Sequence, residues 1–215
     1  MALFVFLISG TSLAQPKEFG SISVHDFSAY NPEYDSTASA VVLFEKGEVE
    51  FDSDYNCILK IHKRIKILND KGFEYGDIEI PIYRGAAQDV RGIKAVTYSL
   101  LPNGKIEENK LGRREIFETR ISDDYEVKKF TMPGLSSGVI IEYSYTKKMG
   151  NPFSLPDWKF HDYIPVQWSE IEMILPLSLN YQMIFKGKEE LFINEAKKLA
   201  TPVNNVIAQK VRLVR

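Results

Sequence analysis

The sequence contains a single cysteine, Cys57, so no disulfide can form within the chain. Its three histidines, His25, His62 and His161, each stand alone in their segments. No HExxH motif and no Cys/His cluster with zinc spacing occurs. Apart from weak acidic candidates at Asp35 and in the run 52–54, the sequence predicts no metal site, and it predicts no cofactor site.

Catalytic signatures are missing as well. There is no GxSxG, no GxxxxGK[ST] and no GxGxxG, and the glycines are scattered at turns. Cys57 falls on the apolar face of a predicted strand, where a thiolate would be poorly stabilised, so we interpret it as a small buried hydrophobe. We therefore predict no catalytic residue and expect a protein that is not an enzyme.

The charge is balanced rather than basic. Lys and Arg number 27 against 29 Asp and Glu, which gives a formal net charge of -2. A nucleic-acid-binding protein would usually carry a basic excess, so the sequence predicts no nucleic-acid partner. It gives no reason to expect attraction to an anionic membrane surface either.

The first residues look like an export signal. Residues 2–8 form an uncharged apolar run, and Ser12 and Ala14 provide small residues before a cut at Gln15. The run is shorter than the roughly 20 residues needed to span a bilayer. We predict a signal peptide at residues 1–14 and an exported protein, periplasmic or in the cell envelope or outside the cell, with no membrane span after cleavage. The alternative is a buried N-terminal strand.

Residues 15–37 are polar and turn-rich, and we name them the lead-in segment, expecting a loosely ordered stretch with one helical turn. From Ala38 onward, apolar and polar residues alternate with a period of two, which is typical of half-buried strands. Turns are predicted at Lys46-Gly47, at 69–72 and at Asn103-Gly104. About ten strands follow one another. Glu189–Leu199 has several good helix formers and is the predicted helix, and Arg114–Ile121 is ambiguous between a short helix and a strand.

This pattern predicts an all-β fold, an antiparallel β-sandwich of roughly ten or more strands with at most one or two short helices. In the strand 57–67, basic residues at 60, 62, 64 and 66 share one face, and Lys63 shares the other face with the apolar residues. We expect acidic strands on both sides, at 48–52 and 77–79, to pair with this basic face across the sheet.

Both tryptophans lie in one aromatic stretch, residues 156–168. Aromatic side chains in a sandwich usually pack in the core, but they also dominate binding hot spots. The residues we consider as a partner or ligand surface are Trp158, Phe160, Tyr163 and Trp168.

Several segments resemble the DUF3857 family, a domain found at the N-terminus of exported transglutaminase-like proteins of Bacteroidetes. They are KIHKRIKILNDKGFEYGDIEIPIY (60–83), IKAVTYSLLPNGKIEENKL (93–111), EVKKFTMPGLSSGVIIEYSYT (126–146) and LPDWKFHDYIPVQWSEIEMILP (155–176). The resemblance implies a β-sandwich over residues 38–215, truncated at its C-terminus, placed before a papain-like transglutaminase core. That core would carry the Cys-His-Asp triad, and no segment here matches it.

The resemblance implies a scaffold or docking module whose partner is the downstream transglutaminase-like domain of the same polypeptide. An alternative is an independent β-sandwich that binds envelope peptide or glycan through the aromatic stretch. An enzyme in its own right is a third hypothesis, for which no catalytic constellation is visible.

Overall fold

The computed structural model describes residues 16–28, 36–86, 88–150 and 155–179, positions 181, 184 and 186, and the strand backbones of 193–200 and 205–214. The predicted signal peptide at 1–14 and the acidic candidate Asp35 lie outside these residues. No helix in the described part of the chain is long and apolar enough to cross a membrane.

Strands are the main secondary structure of the described residues, which confirms the all-β prediction. They are β1 Ala40–Phe51, β2 Cys57–Ile67, β3 Asp77–Tyr83, β4 Asp89–Leu100, β5 Ile106–Lys110, β6 Phe117–Arg120, β7 Tyr125–Thr131, β8 Ile140–Met149, β9 Trp168–Pro176, β10 Ile193–Ala200 and β11 Asn205–Val214. The described residues also contain five short 3-10 helices: Val24–Ser28, Asp70–Gly76, Arg84–Ala86, Arg113–Glu115 and Leu177–Leu179.

The strands form two sheets. The large sheet has the order β10-β11-β9-β1-β2-β8-β4-β5, and the small sheet has the order β3-β7-β6. Every neighbouring pair is antiparallel except β1 and β9, which run parallel with Glu45 opposite Ser169. The sheets are thus antiparallel apart from this pair, which alternation could not reveal because it shows which way a side chain faces and not which strand lies alongside.

The side chains of β2 alternate between the two faces of the large sheet. Its apolar residues Leu59, Ile61, Ile65 and Ile67 lie on what we call the core face. The small sheet packs there, where Ile80, Ile82, Phe130 and Met132 meet Ile65, Ile67 and Ile141. Each large aliphatic side chain fully buried in this way contributes about 1.5–3 kcal/mol. We call the opposite side, which carries Lys60, His62, Arg64 and Lys66, the lead-in face.

A β-bulge in β1 changes how its side chains are distributed. Val42 pairs with Ile65 and Phe44 pairs with Arg64, so Leu43 is an extra residue between them. As a result both Leu43 and Phe44 are buried on the lead-in face, while Val42 stays on the core face. The large sheet is therefore buried on both sides at this point.

The predicted pairing of acidic and basic strands was half wrong. Glu50 of β1 does pair with Lys60 of β2, with 2.6 Å between carboxylate and ammonium. However, β3 belongs to the small sheet, where its Glu79 contacts Lys129 at 2.6 Å. The second neighbour of β2 is β8, which supplies Glu142 instead.

The predicted turn at Lys46-Gly47 was also wrong, since β1 runs through it unbroken. Gly47 is there because the Trp158 ring lies against it: a Cβ at Gly47 would be 2.4 Å from Cζ3 of that ring. The real turn follows β1 and is organised by Asp52. Its carboxylate accepts hydrogen bonds from the backbone N–H groups of Asp54 and Asn56, at 3.0 and 2.9 Å. Asp52 thus has a structural role in the run considered for metal binding.

The helix predicted at Glu189–Leu199 was wrong where the structure describes it. Residues 193–200 form β10, which pairs antiparallel with β11. These residues favour helices, but they form a strand because pairing with a neighbouring strand outweighs their weak intrinsic helix propensity. The hairpin at Asn103-Gly104, by contrast, is confirmed between β4 and β5, with Gly104 at a φ of 78°.

We expect the substitution Gly47→Ala to lower the free energy of unfolding by about 1–3 kcal/mol, because the new methyl group overlaps the Trp158 ring. Urea unfolding of the variant measures the loss. In a Trp158→Leu background the same substitution should cost less, and an equal cost in both backgrounds would contradict this account.

Candidate functional site

The described part of the lead-in segment, residues 16–28, lies across the lead-in face of the large sheet. It contains the predicted single helical turn, at Val24–Ser28. Phe19, Ile22 and Phe27 project from it onto a small apolar cluster. The cluster consists of Val41, Leu43, Val96, Tyr98 and Ile140. The segment is therefore packed on the sheet, and our expectation of a loosely ordered stretch was wrong for these residues.

A fully buried carboxylate, Glu142, lies at the centre of this region. Its Oε1 accepts hydrogen bonds from His62 Nε2 at 2.8 Å and from Arg64 Nη2 and Nε at 2.7 and 3.2 Å. Its Oε2 accepts from the Tyr98 hydroxyl at 2.8 Å and from the Gly20 backbone N–H at 3.0 Å. A carboxylate has about four lone-pair positions, so these five hydrogen bonds saturate Glu142.

Arg64 is as deeply buried as Glu142, with exposures of 1% and 0%. Its guanidinium also donates to the Ser21 carbonyl at 3.0 Å and lies over the Phe44 ring, 5.0 Å from the centroid. Asp26 is 3.9 Å away and is itself paired with Lys17 at 2.6 Å. Burying two charges is tolerable when they are paired and well hydrogen-bonded, and here they pair with each other while Glu142 accepts five hydrogen bonds and Arg64 donates three.

The surroundings of this cluster shift the pKa values of Glu142, Asp26 and Tyr98. Burial alone would raise the pKa of Glu142, but hydrogen bonds from His62 and Tyr98 and the charge of Arg64 outweigh it and hold the pKa below its ordinary value. The pKa of Asp26 is likewise lowered, since hydrogen bonds from Lys17 and Ser23 outweigh its burial. The pKa of Tyr98 is raised by burial and by its hydrogen bond to Glu142, so it stays a phenol that donates to the carboxylate.

A groove opens beside this cluster. It has a volume of about 410 Å³, and the lead-in residues 16–19 form one wall. The sheet residues that line it are Lys46, Glu48, Lys60, Ile61, His62, Ser144, Tyr145 and Thr146. Its lysines are matched by neighbouring acids, because Lys46 contacts Glu48 at 2.5 Å and Lys60 contacts Glu50 at 2.6 Å. Such a lining favours polar, uncharged main-chain groups over an isolated anion.

The four predicted partner-surface residues do not share one surface. Trp168 is buried on the lead-in side of β9. Trp158 and Phe160 pack on the core face, and the Trp158 indole N–H donates to the Ser169 hydroxyl at 3.0 Å. Only Tyr163 is fully exposed. The peptide- or glycan-binding alternative therefore retains one exposed aromatic side chain from this group.

A second buried cation, Lys63, holds the aromatic stretch to the core face. Its ammonium group is 3.0 Å from Asp162 and 3.4 Å from Glu45. Burial alone would lower the pKa of Lys63, but these two carboxylates raise it above its ordinary value. The sequence showed that Lys63 shares a face with apolar residues, yet it gave no sign that Asp162 is its partner.

The chemistry-bearing residues stay apart. Cys57 is completely buried, and burial raises the pKa of its thiol to about 11, which confirms the interpretation of Cys57 as a buried hydrophobe. His62 belongs to the Glu142 cluster, whereas His25 and His161 are exposed in other segments. Within the residues that the structure describes, no group of three or more His, Cys, Asp or Glu side chains is arranged to hold a metal ion.

The outer face of the small sheet is exposed and partly apolar. Phe117, Ile121 and Tyr125 keep 63%, 60% and 51% of their surface in solvent. Strand pairing places them on the same side as Tyr83, whose ring lies 5.0 Å from that of Tyr125. Several exposed apolar side chains on one face of a sheet are typical of a surface used for interaction. The sequence analysis did not single out this patch, whose residues come from β3, from β6 and the residue after it, and from β7.

Comparison with known proteins gives a family and a fold. The family model described as a domain of unknown function, DUF3857, matches residues 53–206. No curated protein matches the chain. The crystal structure of a "putative protease" from Parabacteroides distasonis ATCC 8503 is similar, with a TM-score of 0.60 and 13% identity over 82% of this chain. This chain spans 35% of that protein's chain. At such low identity the likeness shows a shared fold alone.

We expect the substitution Glu142→Gln to lower the free energy of unfolding by about 3–5 kcal/mol, because it leaves Arg64 buried without its counter-charge. Glu50→Gln is the matched control. It removes the exposed partner of Lys60 and should cost less than about 1 kcal/mol. Equal losses in urea unfolding would show that burial of the pair does not matter.

The lowered pKa values of Glu142 and Asp26 predict a loss of stability in acid. A carboxyl whose folded pKa is depressed stabilises the fold above its unfolded pKa, and that contribution disappears as the pH falls through the folded pKa. The free energy of unfolding should therefore decrease as the pH falls below the ordinary Glu value of 4.5.

The Glu142→Gln variant should show a flatter pH dependence in this range, because it lacks one of the two groups. Glu45, whose pKa is raised by burial, acts with the opposite sign but is present in both proteins. Urea unfolding of both proteins from about pH 7 to about pH 3 tests this. Parallel curves would exclude Glu142 as a source of the acid sensitivity.

Proposed function

The chain belongs to the DUF3857 family of domains of unknown function, and from this premise we propose that it is a non-catalytic scaffold or docking module of an exported protein. Its partner in this proposal is a transglutaminase-like domain that follows it in the same polypeptide. The module would support or orient that domain in the cell envelope, and the chemistry would take place there.

The observation that carries the proposal is the exposed apolar face of the small sheet. Ile121, Tyr125 and Tyr83 lie side by side on it and Phe117 is farther along the same face, while the sheet has a packed core on its other side. A three-stranded sheet needs one apolar face for its own stability. The exposed apolar residues on the other face are then available to contact another domain. An aromatic-rich patch is the composition found at the centre of protein interfaces.

The similar solved structure supports a module within a larger chain. There the matching region makes up 35% of the polypeptide, so most of that protein lies outside it. The saturated Glu142 cluster and the buried Cys57 thiol are consistent with a domain whose described polar groups are used to hold its own structure.

The size and location of the native protein test the proposal first. An antibody raised against this chain would be used to blot fractions of the source cells. We expect a band far above 24.6 kDa in the envelope fraction. A band near the size of this chain would mean that the module acts alone and would contradict the docking role.

The patch can then be tested directly. The remainder of the larger polypeptide would be produced separately and titrated with this chain by calorimetry. Replacing Phe117 and Tyr125 together with serine should weaken association at least about tenfold, since truncated aromatic anchors dominate binding losses. Tyr163→Ser, at an exposed aromatic residue outside the patch, should leave association unchanged. Unchanged affinity in the patch variant would remove the patch from the interface.

A further inference from the structure

The lead-in segment is held to the large sheet by side chains that bind its main chain. Glu142 accepts from the Gly20 N–H at 3.0 Å, and Arg64 donates to the Ser21 carbonyl at 3.0 Å. Lys66 donates to the Phe27 carbonyl. Contacts of this kind do not depend on which side chains the held segment carries, and they are the usual means of fixing a bound peptide.

Sequence preference comes from three apolar side chains of the segment. Phe19, Ile22 and Phe27 insert onto the cluster around Leu43 and Tyr98, while Val24 between them points to solvent with 51% exposure. Apolar anchors at fixed spacing, combined with main-chain hydrogen bonds, are the two components of peptide recognition by a protein groove.

Residues 16–28 take no part in the strand pairing of the sheet. Their backbone-to-backbone hydrogen bonds stay within the segment, such as Ser21 N to Glu18 O at 2.9 Å and Asp26 N to Ser23 O at 3.0 Å. The sheet's own ladders are complete without it, since β2 pairs with β1 and β8 along its whole length. Removal of the segment would leave those hydrogen bonds intact.

The charged floor beneath the segment, which consists of Glu142 and Arg64, stays paired without the segment. Without Gly20, Glu142 keeps its hydrogen bonds to His62, Arg64 and Tyr98. Arg64 keeps Glu142 and loses the Ser21 carbonyl and the more distant Asp26 carboxylate, 3.9 Å away, and water can replace both. Uncovering the floor therefore leaves the Arg64–Glu142 pair intact, so neither of these two charges is left alone.

We propose that the lead-in face is a peptide-binding groove and that residues 16–28 are its built-in ligand. The segment leaves and returns as a unit while the large sheet stays folded. The groove takes a short peptide with two aromatic residues and one aliphatic residue at the spacing of Phe19, Ile22 and Phe27. This surface lies on a different sheet from the Phe117 patch, so the proposal holds whether or not the docking role does.

The test uses the whole chain and a fluorescent synthetic peptide with the sequence of residues 16–28. In the wild-type chain the attached segment competes for the groove, so the added peptide binds weakly. The double substitution Phe19→Ala and Phe27→Ala in the chain weakens this internal competitor. We expect the unmodified peptide to bind this variant at least about tenfold more tightly than it binds the wild type, because the competent open form is more populated.

Val24→Ala is the matched control, since Val24 is exposed in the same segment. It should leave the affinity for the peptide at the wild-type value. A scrambled peptide of the same composition should bind neither variant. Equal binding of the scrambled peptide, or no binding to a double variant that is folded by circular dichroism, would overturn the proposal.

Hydrogen exchange on the wild-type chain gives an independent readout. The Gly20 amide should exchange much faster than the β2 amides, because the segment opens without the sheet. Exchange at the same rate as β2 would make the segment an integral part of the core. Loss of folding in the double variant would lead to the same conclusion, and either result would overturn the proposal.

Discussion

Burial of the Glu142–Arg64 pair is the constraint around which the centre of the large sheet is organised. Removing two charges from water costs several kcal/mol per ion, so each must be completely satisfied inside. His62, Tyr98 and the Gly20 N–H complete the carboxylate, while the Ser21 carbonyl and the Phe44 ring accompany the guanidinium. Strands β2, β4 and β8 and the bulge in β1 provide the side-chain partners, and the lead-in segment adds the two main-chain ones.

Two-sided burial follows from this arrangement and determines what the molecule has left for function. The core face is covered by the small sheet and by the stretch around Trp158, and the lead-in face is covered by residues 16–28. The buried charged residues Glu142 and Lys63 hold these covering segments to the large sheet, through Gly20 and Asp162 respectively. Among the described residues, the outside of the small sheet and the groove beside the lead-in segment remain accessible.

The sequence predicts those features that depend on local alternation. It gave the two faces of β2, including Lys63 on the apolar side, and the turn at Asn103-Gly104. It could not give contacts between distant segments: Glu142 follows its partner Arg64 by 78 residues, and Asp162 follows Lys63 by 99.

The wrong predictions have the same origin. Gly47 has the composition of a turn but is a strand position that makes room for the Trp158 ring. Residues 193–200 have the composition of a helix, but they pair with β11. At Gly47 a contact with the distant Trp158 ring decided between two locally acceptable structures, and at 193–200 pairing with β11, which joins the sheet through β9, decided it. The Phe117 patch also depends on strand pairing, which the sequence does not show.

The parallel pairing of β1 and β9 has a consequence for how the protein reaches its native state. Glu45 and Ser169 are opposite each other but more than a hundred residues apart, so β1 keeps an unpaired edge until nearly all of the chain is available. Pairings of such high sequence separation form slowly, and an open strand edge can recruit another chain in the meantime. Because β11 and β10 can join only through β9, assembly of this half of the sheet comes last. The period before β9 docks is therefore when a newly made molecule is most exposed to aggregation.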